Sequence, residues 1–282
     1  MIRIALPNKG SLSDGATAIV KEAGYRCTRS GRELSVIDPV HDIEFVFLRP
    51  RDIAVYVSQG VVELGITGRD LNLDAAEPAF EAMPLGFGKS NFHYAVPNDS
   101  ELTPDKFSGV RVACSYANIV RRDLESRGIS AKIVAVDGAV EVSIRLGVAD
   151  AIADVVDSGQ TLREAGLKIV GSPVMESEAV VIAKSNAALA LPTAAVFLRR
   201  IQGIVLAREY AMIEYDVPRA ILDNAVKLTP GIEGPTIAPL NDPAWVAVKA
   251  MLKKKSSNAV IDQLADLGAK GIVLTDIRTC RL

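Results

Sequence analysis

Short apolar runs alternate with amphipathic stretches along the first two thirds of the chain. Residues 2–6 have the length of a buried strand, Pro7-Asn8-Lys9-Gly10 turns the chain, and a helix is expected from about Leu12 until Gly24 stops it. A hairpin turning at Ser30-Gly31 should deliver the apolar strand 43–49. Pro50 then opens a helix through Val57, closed by Gly60. Residues 64–67 read as a short buried strand running into Gly68-Arg69-Asp70. From about Asn91 the pattern repeats, with strands 110–115, 131–136 and 151–156 separated by helices 118–127 and 139–146. Such alternation builds a parallel sheet with right-handed crossovers.

Residues 92–96 and 179–183 read as strands crossing between two lobes, after which a helix over 193–208 returns to the first. The pattern changes from Ala211. Strand 212–215, helix 219–227, strands 236–240 and 246–252, helix 258–267 and strand 272–277 follow in the order βαββαβ, the ferredoxin-like split motif. That order suits a small-molecule sensor or an oligomerisation module, and does not choose between them. The expected class is therefore α/β, with a discontinuous lobe I (1–90 and 184–210), a lobe II (91–183) and a C-terminal domain (211–282).

A length of 282 residues accommodates about two or three domains, and 49% hydrophobic against 23% charged residues describes a globular protein. A net charge of -2 supplies no general field for nucleic acid or an anionic membrane, so any anion site has to be local. Cys27, Cys114 and Cys280 are far apart and form no Cys-x-x-Cys pair, which encodes neither a disulfide framework nor a zinc site and fits a reducing cytoplasm. Residues 1–7 are too short an apolar run for a secretory signal, and no stretch approaches the roughly twenty apolar residues of a membrane span. His41 and His93 lie in no ligand-spaced cluster and beside no Ser or Cys nucleophile, which argues against histidine-based catalysis.

The most informative stretch is 150–162, a buried strand ending in Asp154 and Asp157 that turns through Ser158-Gly159-Gln160-Thr161 into a helix. Backbone N–H groups at such a turn converge on an anion, the helix dipole adds partial positive charge, and the hydroxyls donate. The upstream carboxylates are placed to accept from ribose hydroxyls or to hold a metal-bound diphosphate. The competing reading makes Ser158 or Thr161 a helix cap and the two acids solvated strand ends. A matching phrase, Glu63-Leu-Gly-Ile-Thr-Gly-Arg-Asp70, delivers an acid at the end of a strand in the other lobe. Open α/β sheets bind ligands beyond their strand carboxyl ends, so both acids should face one cleft.

The ordered motifs Pro7-Asn-Lys-Gly10, Leu48-Arg-Pro-Arg-Asp52, Gly65-Ile-Thr-Gly-Arg-Asp70, Asp137-Gly-Ala-Val-Glu141, Gly147-Val-Ala-Asp-Ala-Ile-Ala-Asp154, Ser158-Gly-Gln-Thr-Leu162, Thr229-Pro-Gly231, Pro235-Thr-Ile-Ala-Pro239 and Asp276-Ile277-Arg278 resemble the ATP phosphoribosyltransferase family in its long, histidine-regulated form. The resemblance covers essentially the whole chain. It implies a two-lobed, periplasmic-binding-protein-like core with a ferredoxin-like regulatory domain. It also implies a reaction joining N1 of ATP to C1 of 5-phosphoribosyl 1-pyrophosphate with magnesium, the first step of histidine biosynthesis.

By that resemblance Asp154, Ser158, Gly159, Gln160 and Thr161 hold the phosphoribosyl group, and Asp157 is the less secure member. Lys9, Arg49, Arg51 and Arg69 are candidates for phosphate oxygens, Arg51 and Arg69 being the readier to act as plain solvated loop charges. Asp70, Leu71 and Tyr116 surround the adenine, and Lys9, Glu141 and Asp154 are the catalytic candidates, Glu141 in an electrostatic role, with the question of a general base left open. Asp216, Ile232, Thr236, Met251 and Gly271 form the L-histidine inhibitor site, where Gly271 stands in place of an expected alanine. A cytoplasmic homo-oligomer growing from dimer to hexamer is implied, without nucleic acid or membrane partners.

Two other classes compete. A two-lobed solute-binding protein uses the same discontinuous lobes and crossing strands, although no signal sequence is evident. A transcriptional effector domain requires a basic recognition helix, which is absent from the sequence pattern. Lys253-Lys-Lys255 reads as a solvated turn and Trp245 as a packing anchor.

Overall fold

The N-terminal apolar run forms β1 (Ile2–Pro7), followed by α1 (Ser11–Glu22), β2 (Ser35–Asp38), β3 (Ile43–Leu48), α2 (Pro50–Ser58), β4 (Leu64–Gly68), α3 (Arg69–Asp74) and β5 (Phe80–Pro84). The computed structural model describes residues 1–31, 33–156 and 159–281. The chain continues through β6 (Ser90–Pro97), β7 (Arg111–Cys114), α4 (Ala117–Ser126), β8 (Lys132–Ala135), α5 (Val142–Arg145), β9 (Ala151–Val156), α6 (Gln160–Glu164), β10 (Leu167–Ser177) and β11 (Ala179–Ala183). After α7 (Asn186–Leu189) and α8 (Pro192–Glu209) come β12 (Tyr210–Pro218), α9 (Leu222–Leu228), β13 (Thr236–Pro239), β14 (Trp245–Lys253), α10 (Ser257–Asp266) and β15 (Lys270–Asp276). Two compact units result, Met1–Val196 and Phe197–Leu282.

The first unit contains two sheets. One has the order β2-β3-β1-β4-β11-β5, with β3, β1 and β4 parallel and β11 returning antiparallel beside β4. Every residue of β4 and β11 is buried, the mark of strands covered on both faces, and this is why they read as continuous apolar runs without alternation. The other has the order β10-β6-β9-β7-β8, with β9, β7 and β8 parallel. Its core gathers Phe92, Tyr94, Phe107, Val112, Val120 and Leu124. The chain passes between the sheets from β5 to β6 and again from β10 to β11, where Glu178 alone separates the two strands.

Several expectations are corrected. Residues 179–183, assigned to lobe II, hydrogen-bond within the first sheet. The first hairpin turns over residues 39–42 rather than at Ser30-Gly31, because the Asp38 carboxylate accepts from the backbone N–H groups of Val40 and His41 and Asp42 takes the left-handed conformation (φ 56°). The helix expected over 139–146 shrinks to α5, because Gly138 and Ala139 both have positive φ and form a turn instead. The helix expected to return to lobe I straddles the two units. The division falls after Val196, and downstream the Cys280 N–H donates to the Gly203 carbonyl (2.9 Å), tying the end of the chain to α8.

The second unit is the βαββαβ motif. Its sheet, β13-β14-β12-β15, is antiparallel throughout. Burial alternates strictly along β12 and β14, so Ile213, Tyr215, Val217, Val246 and Val248 pack with Ala225 of α9 and Leu264 of α10. The Tyr215 hydroxyl pairs with Thr229 Oγ1 at 2.7 Å, satisfying the polar groups of that core. Among the described residues no helix is long and apolar enough to cross a membrane.

Candidate active site

The carboxyl ends of β4 and β9 meet. Arg69, which follows β4, Val156, which ends β9, and Ser177, which ends β10, line one cleft of about 350 Å³ together with Lys89 and Asn91. Asp154 shares the strand face of Val156, since side chains two apart on a strand point the same way.

Asp70 is 7% exposed and doubly held. Its N–H donates to Ser177 Oγ (3.1 Å), and the Ser177 hydroxyl donates back to its carboxylate (2.8 Å). Gly68 leaves the room this needs, because a Cβ there would overlap the Asp70 carboxylate. Tyr116 stands immediately before α4. Burial pushes its phenol up, proximity to Asp70 adds to the shift, the Arg51 guanidinium opposes it and the charge of Asp154 contributes further, so the phenol stays a donor. One hydroxyl thus lies in the field of the acids from both lobes. Leu71 is half-buried on α3 beside them.

Arg51 is held by two partners although half of its side chain stays exposed. It donates to Asp74 (2.6 Å) and to the Ser115 carbonyl (2.8 Å), and its guanidinium lies 5.0 Å from the centroid of the Tyr116 ring. Phe92 meets the same ring edge-on at 5.4 Å. Arg69 is likewise engaged, through two nitrogens on Glu81 (2.7–3.2 Å) and at 3.5 Å from Glu178. Both arginines are engaged in ion pairs, Arg69 partly buried and Arg51 still half exposed. Lys9 and Arg49 are exposed, and they follow neighbouring strands at the carboxyl edge, Pro7 standing opposite Leu48.

Asp154 is half-buried and stands opposite His93 in the β6–β9 ladder. Burial raises its carboxyl above the usual aspartate range; the Val155 N–H (2.8 Å) opposes the shift and the charge of Glu141, at the start of α5, reinforces it. Burial lowers His93, whose Nδ1 has no hydrogen-bond partner among the described residues. The residue before α6 is Gly159 in the left-handed conformation (φ 70°), so Thr161 is not the cap of this helix and remains exposed. The Gln160 side chain donates to Glu164 (2.8 Å). Asp157 and Ser158 lie outside the described residues.

Sequence reasoning missed Asp74 and Ser177. Asp74 sits four residues after Asp70 on one helical turn, a spacing that carried a signal. Ser177 carried none. Among the described residues no group of three His, Cys, Asp or Glu side chains could hold a metal ion. Burial pushes the thiols of Cys27 and Cys114 up to about 11, which leaves them poor nucleophiles.

In the second unit Ile232, Thr236 and Met251 line a cavity of about 470 Å³ with Met212, Cys280 and Arg281. Asp216 and Gly271 are not among its lining residues. They neighbour each other where β12 meets β15, a Cβ on Gly271 falling 3.7 Å from the Asp216 carboxylate.

A family model described as HisG, ATP phosphoribosyltransferase, matches residues 49–203, and one for the HisG C-terminal domain matches 207–279. The ATP phosphoribosyltransferase of Salinibacter ruber is 54% identical over 283 residues, covering 100% of both chains. That of Rhodococcus erythropolis is 52% identical over 281 residues, covering 100% of this chain and 99% of its own. Among solved structures, the ATP phosphoribosyl transferase (HisG:HisZ) complex from Thermotoga maritima superposes with a TM-score of 0.64 at 25% identity, over 73% of this chain and 99% of that one.

Proposed function

The chain belongs to the ATP phosphoribosyltransferase family of histidine biosynthesis, and from that premise we propose that it condenses N1 of ATP with C1 of 5-phosphoribosyl 1-pyrophosphate, giving N1-(5-phosphoribosyl)-ATP and pyrophosphate. The observation that carries this reading is the convergence of the β4 and β9 ends on one cleft, with Tyr116 in the field of both Asp70 and Asp154.

Adenine N1 is an unprotonated nucleophile at neutral pH, so the bond to C1 forms without a general base as the bond from C1 to the diphosphate oxygen breaks. The transition state is oxocarbenium-like, and positioning and electrostatics dominate. Asp154 accepts from the ribose hydroxyls, and its charge together with that of Glu141 favours positive charge building on the sugar. The backbone around Gly159, with Ser158 and Thr161, takes the 5-phosphate. Asp70 accepts from the adenine amino group beside Leu71, and Lys9 and Arg49 meet the phosphate oxygens. A magnesium ion bound with the diphosphate would be held mainly by phosphates and water with one or two carboxylates, and would supply neutralisation of charge on the leaving group.

L-histidine is the proposed inhibitor, bound by the C-terminal unit through Asp216, Ile232, Thr236, Met251 and the backbone at Gly271. Coupling between such separate sites typically amounts to about 1–3 kcal/mol. The working particle is a cytoplasmic dimer assembling to a hexamer. Mass analysis of the product tests the reaction: a species equal to ATP plus one phosphoribosyl group is expected, suppressed by L-histidine. ATP and 5-phosphoribosyl 1-pyrophosphate recovered intact would refute it.

A further inference from the structure

Asp74, the last residue of α3, has 6% of its side chain exposed and accepts three hydrogen bonds. Oδ2 takes the Arg51 guanidinium at 2.6 Å; Oδ1 takes the backbone N–H of Asn118 at 2.9 Å and of Ile119 at 3.3 Å, in the first turn of α4. The α3 end of the first sheet's lobe thus serves as the cap of a helix in the second. Asn118 returns the contact from its side chain to the Asp74 carbonyl (2.7 Å), and Arg122 donates to the Leu73 and Ala75 carbonyls (2.6 and 3.2 Å). Arg51 completes the junction on the Ser115 carbonyl, directly before Tyr116.

We propose that Asp74 is a positioning residue for the nucleotide, a single carboxylate that fixes Arg51 over the Tyr116 ring while anchoring the helix that carries Tyr116. Arg51 follows one lobe and Tyr116 the other; the Ser115 carbonyl holds one guanidinium nitrogen, and Asp74, bonded both to Arg51 and to the first turn of α4, keeps the guanidinium and the ring in register. The Arg51 side chain is still 49% exposed, so a planar cation held on one edge by Asp74 and at another nitrogen by Ser115 presents its remaining surface to solvent. A purine face or a phosphate oxygen is the chemistry such a surface takes. Holding it beforehand removes the ordering cost from nucleotide binding. The phosphoribosyl side, on β9 and α6, makes none of these contacts and should be indifferent. This inference rests on the transferase reading for the identity of the nucleotide.

Asp74→Asn separates the two tasks. Its one carbonyl oxygen still caps α4, while its amide presents N–H groups to Arg51 and releases it. Steady-state kinetics of the full chain, with each substrate varied, should show the KM for ATP raised about tenfold and the KM for 5-phosphoribosyl 1-pyrophosphate within about twofold. Arg51→Lys, which keeps a charge for Asp74 but loses the planar fork, should show the same split, and the double variant should be no worse than Arg51→Lys alone. An unchanged ATP KM, an equal rise in both KM values, or additive effects in the double variant would overturn the proposal. Should Asp74→Asn fail to fold, Arg51→Lys decides by the same split. Failure of the transferase reading shows separately, as no turnover by the unmodified chain, and ATP affinity measured by calorimetry on the same variants then tests Asp74.

Discussion

Ser177 grips Asp70 at both ends of that residue, accepting from its backbone N–H at 3.1 Å and donating to its carboxylate at 2.8 Å. The serine ends β10 and lines the cleft, and the aspartate lies in the first turn of α3, so one hydroxyl fixes a buried acid beside the cleft. Ser177→Ala strips a buried carboxylate of a donor, which costs about 1–3 kcal/mol, and loosens the group proposed to receive the adenine amine. Denaturant unfolding should register the stability loss, and the KM for ATP should rise while that for the second substrate holds. Wild-type stability together with a wild-type KM would show that the contact does neither.

Asp154 makes a pH dependence with a definite sign. The ionised form accepts from ribose hydroxyls, and burial holds its pKa above the usual aspartate value of 3.8, so activity should fall with acidification at a higher pH than an ordinary aspartate would give. The charge of Glu141 contributes to that raising. Glu141→Gln should therefore lower turnover on the plateau and move the acid limb of kcat/KM to lower pH; a limb that stays or moves upward contradicts the coupling.

The same shift bears on folding in the opposite direction. With a folded-state pKa above the unfolded one, the folded protein binds more protons between the two values, so this residue's contribution to stability declines as pH rises through that window. At neutral pH the burden is fully present. Asp154→Asn should raise Tm at pH 7 while abolishing turnover, and this gain should shrink when the melts are repeated below pH 4. A lower Tm at pH 7 would mean that the carboxylate is held by contacts stronger than its desolvation.

Arg69 braces the first sheet's lobe where the chain crosses. It grips Glu81 of β5 through two nitrogens and reaches Glu178, the single residue between β10 and β11. With side chains 23% and 32% exposed, the Arg69–Glu81 pair lies between a solvated and a buried ion pair. Arg69→Lys loses the fork and should cost about 1–2 kcal/mol in thermal or denaturant unfolding, leaving both KM values within about twofold. A large KM change at unaltered stability would make Arg69 a substrate ligand.

Gly271 stands where the family resemblance led us to expect alanine, and its backbone supplies a reason. At φ 58° a Cβ has space, with the Asp216 carboxylate at 3.7 Å, yet an L side chain adopts that conformation only at a cost of about 1–2 kcal/mol. Gly271→Ala should therefore destabilise the C-terminal unit by about that amount, as read by chemical denaturation; a more stable variant would show that the local backbone relaxes freely.

Strand periodicity made much of the fold legible. The βαββαβ order showed in the sequence because β12 and β14 alternate buried with half-buried or exposed positions, and the continuous apolar runs of β4 and β11 marked strands buried on both faces. β10 escaped because Gly171 and Pro173 interrupt its strand pattern, whereas an edge strand with a bulge tolerates both. At the candidate site, the acids at strand ends were visible because local order places them there. The groups that hold the site together were not: Asp74 caps residues 44 and 45 positions away, and Ser177 reaches Asp70 across 107. Such pairings have no local periodicity to betray their partners, and only the four-residue spacing of Asp74 from Asp70 carried a signal. Arg51 shows the same limit, since nothing near it in the chain announces Asp74, 23 residues on.

Pyrophosphate release under initial-rate conditions, with each component omitted in turn, tests the two-substrate reaction most directly. Release is expected only when the protein, magnesium, ATP and 5-phosphoribosyl 1-pyrophosphate are all present, one pyrophosphate appearing for each ATP consumed, and L-histidine should suppress it. Binding of either substrate without release, as in a solute-binding protein, or ATP consumption that proceeds without the phosphoribosyl donor, would contradict it.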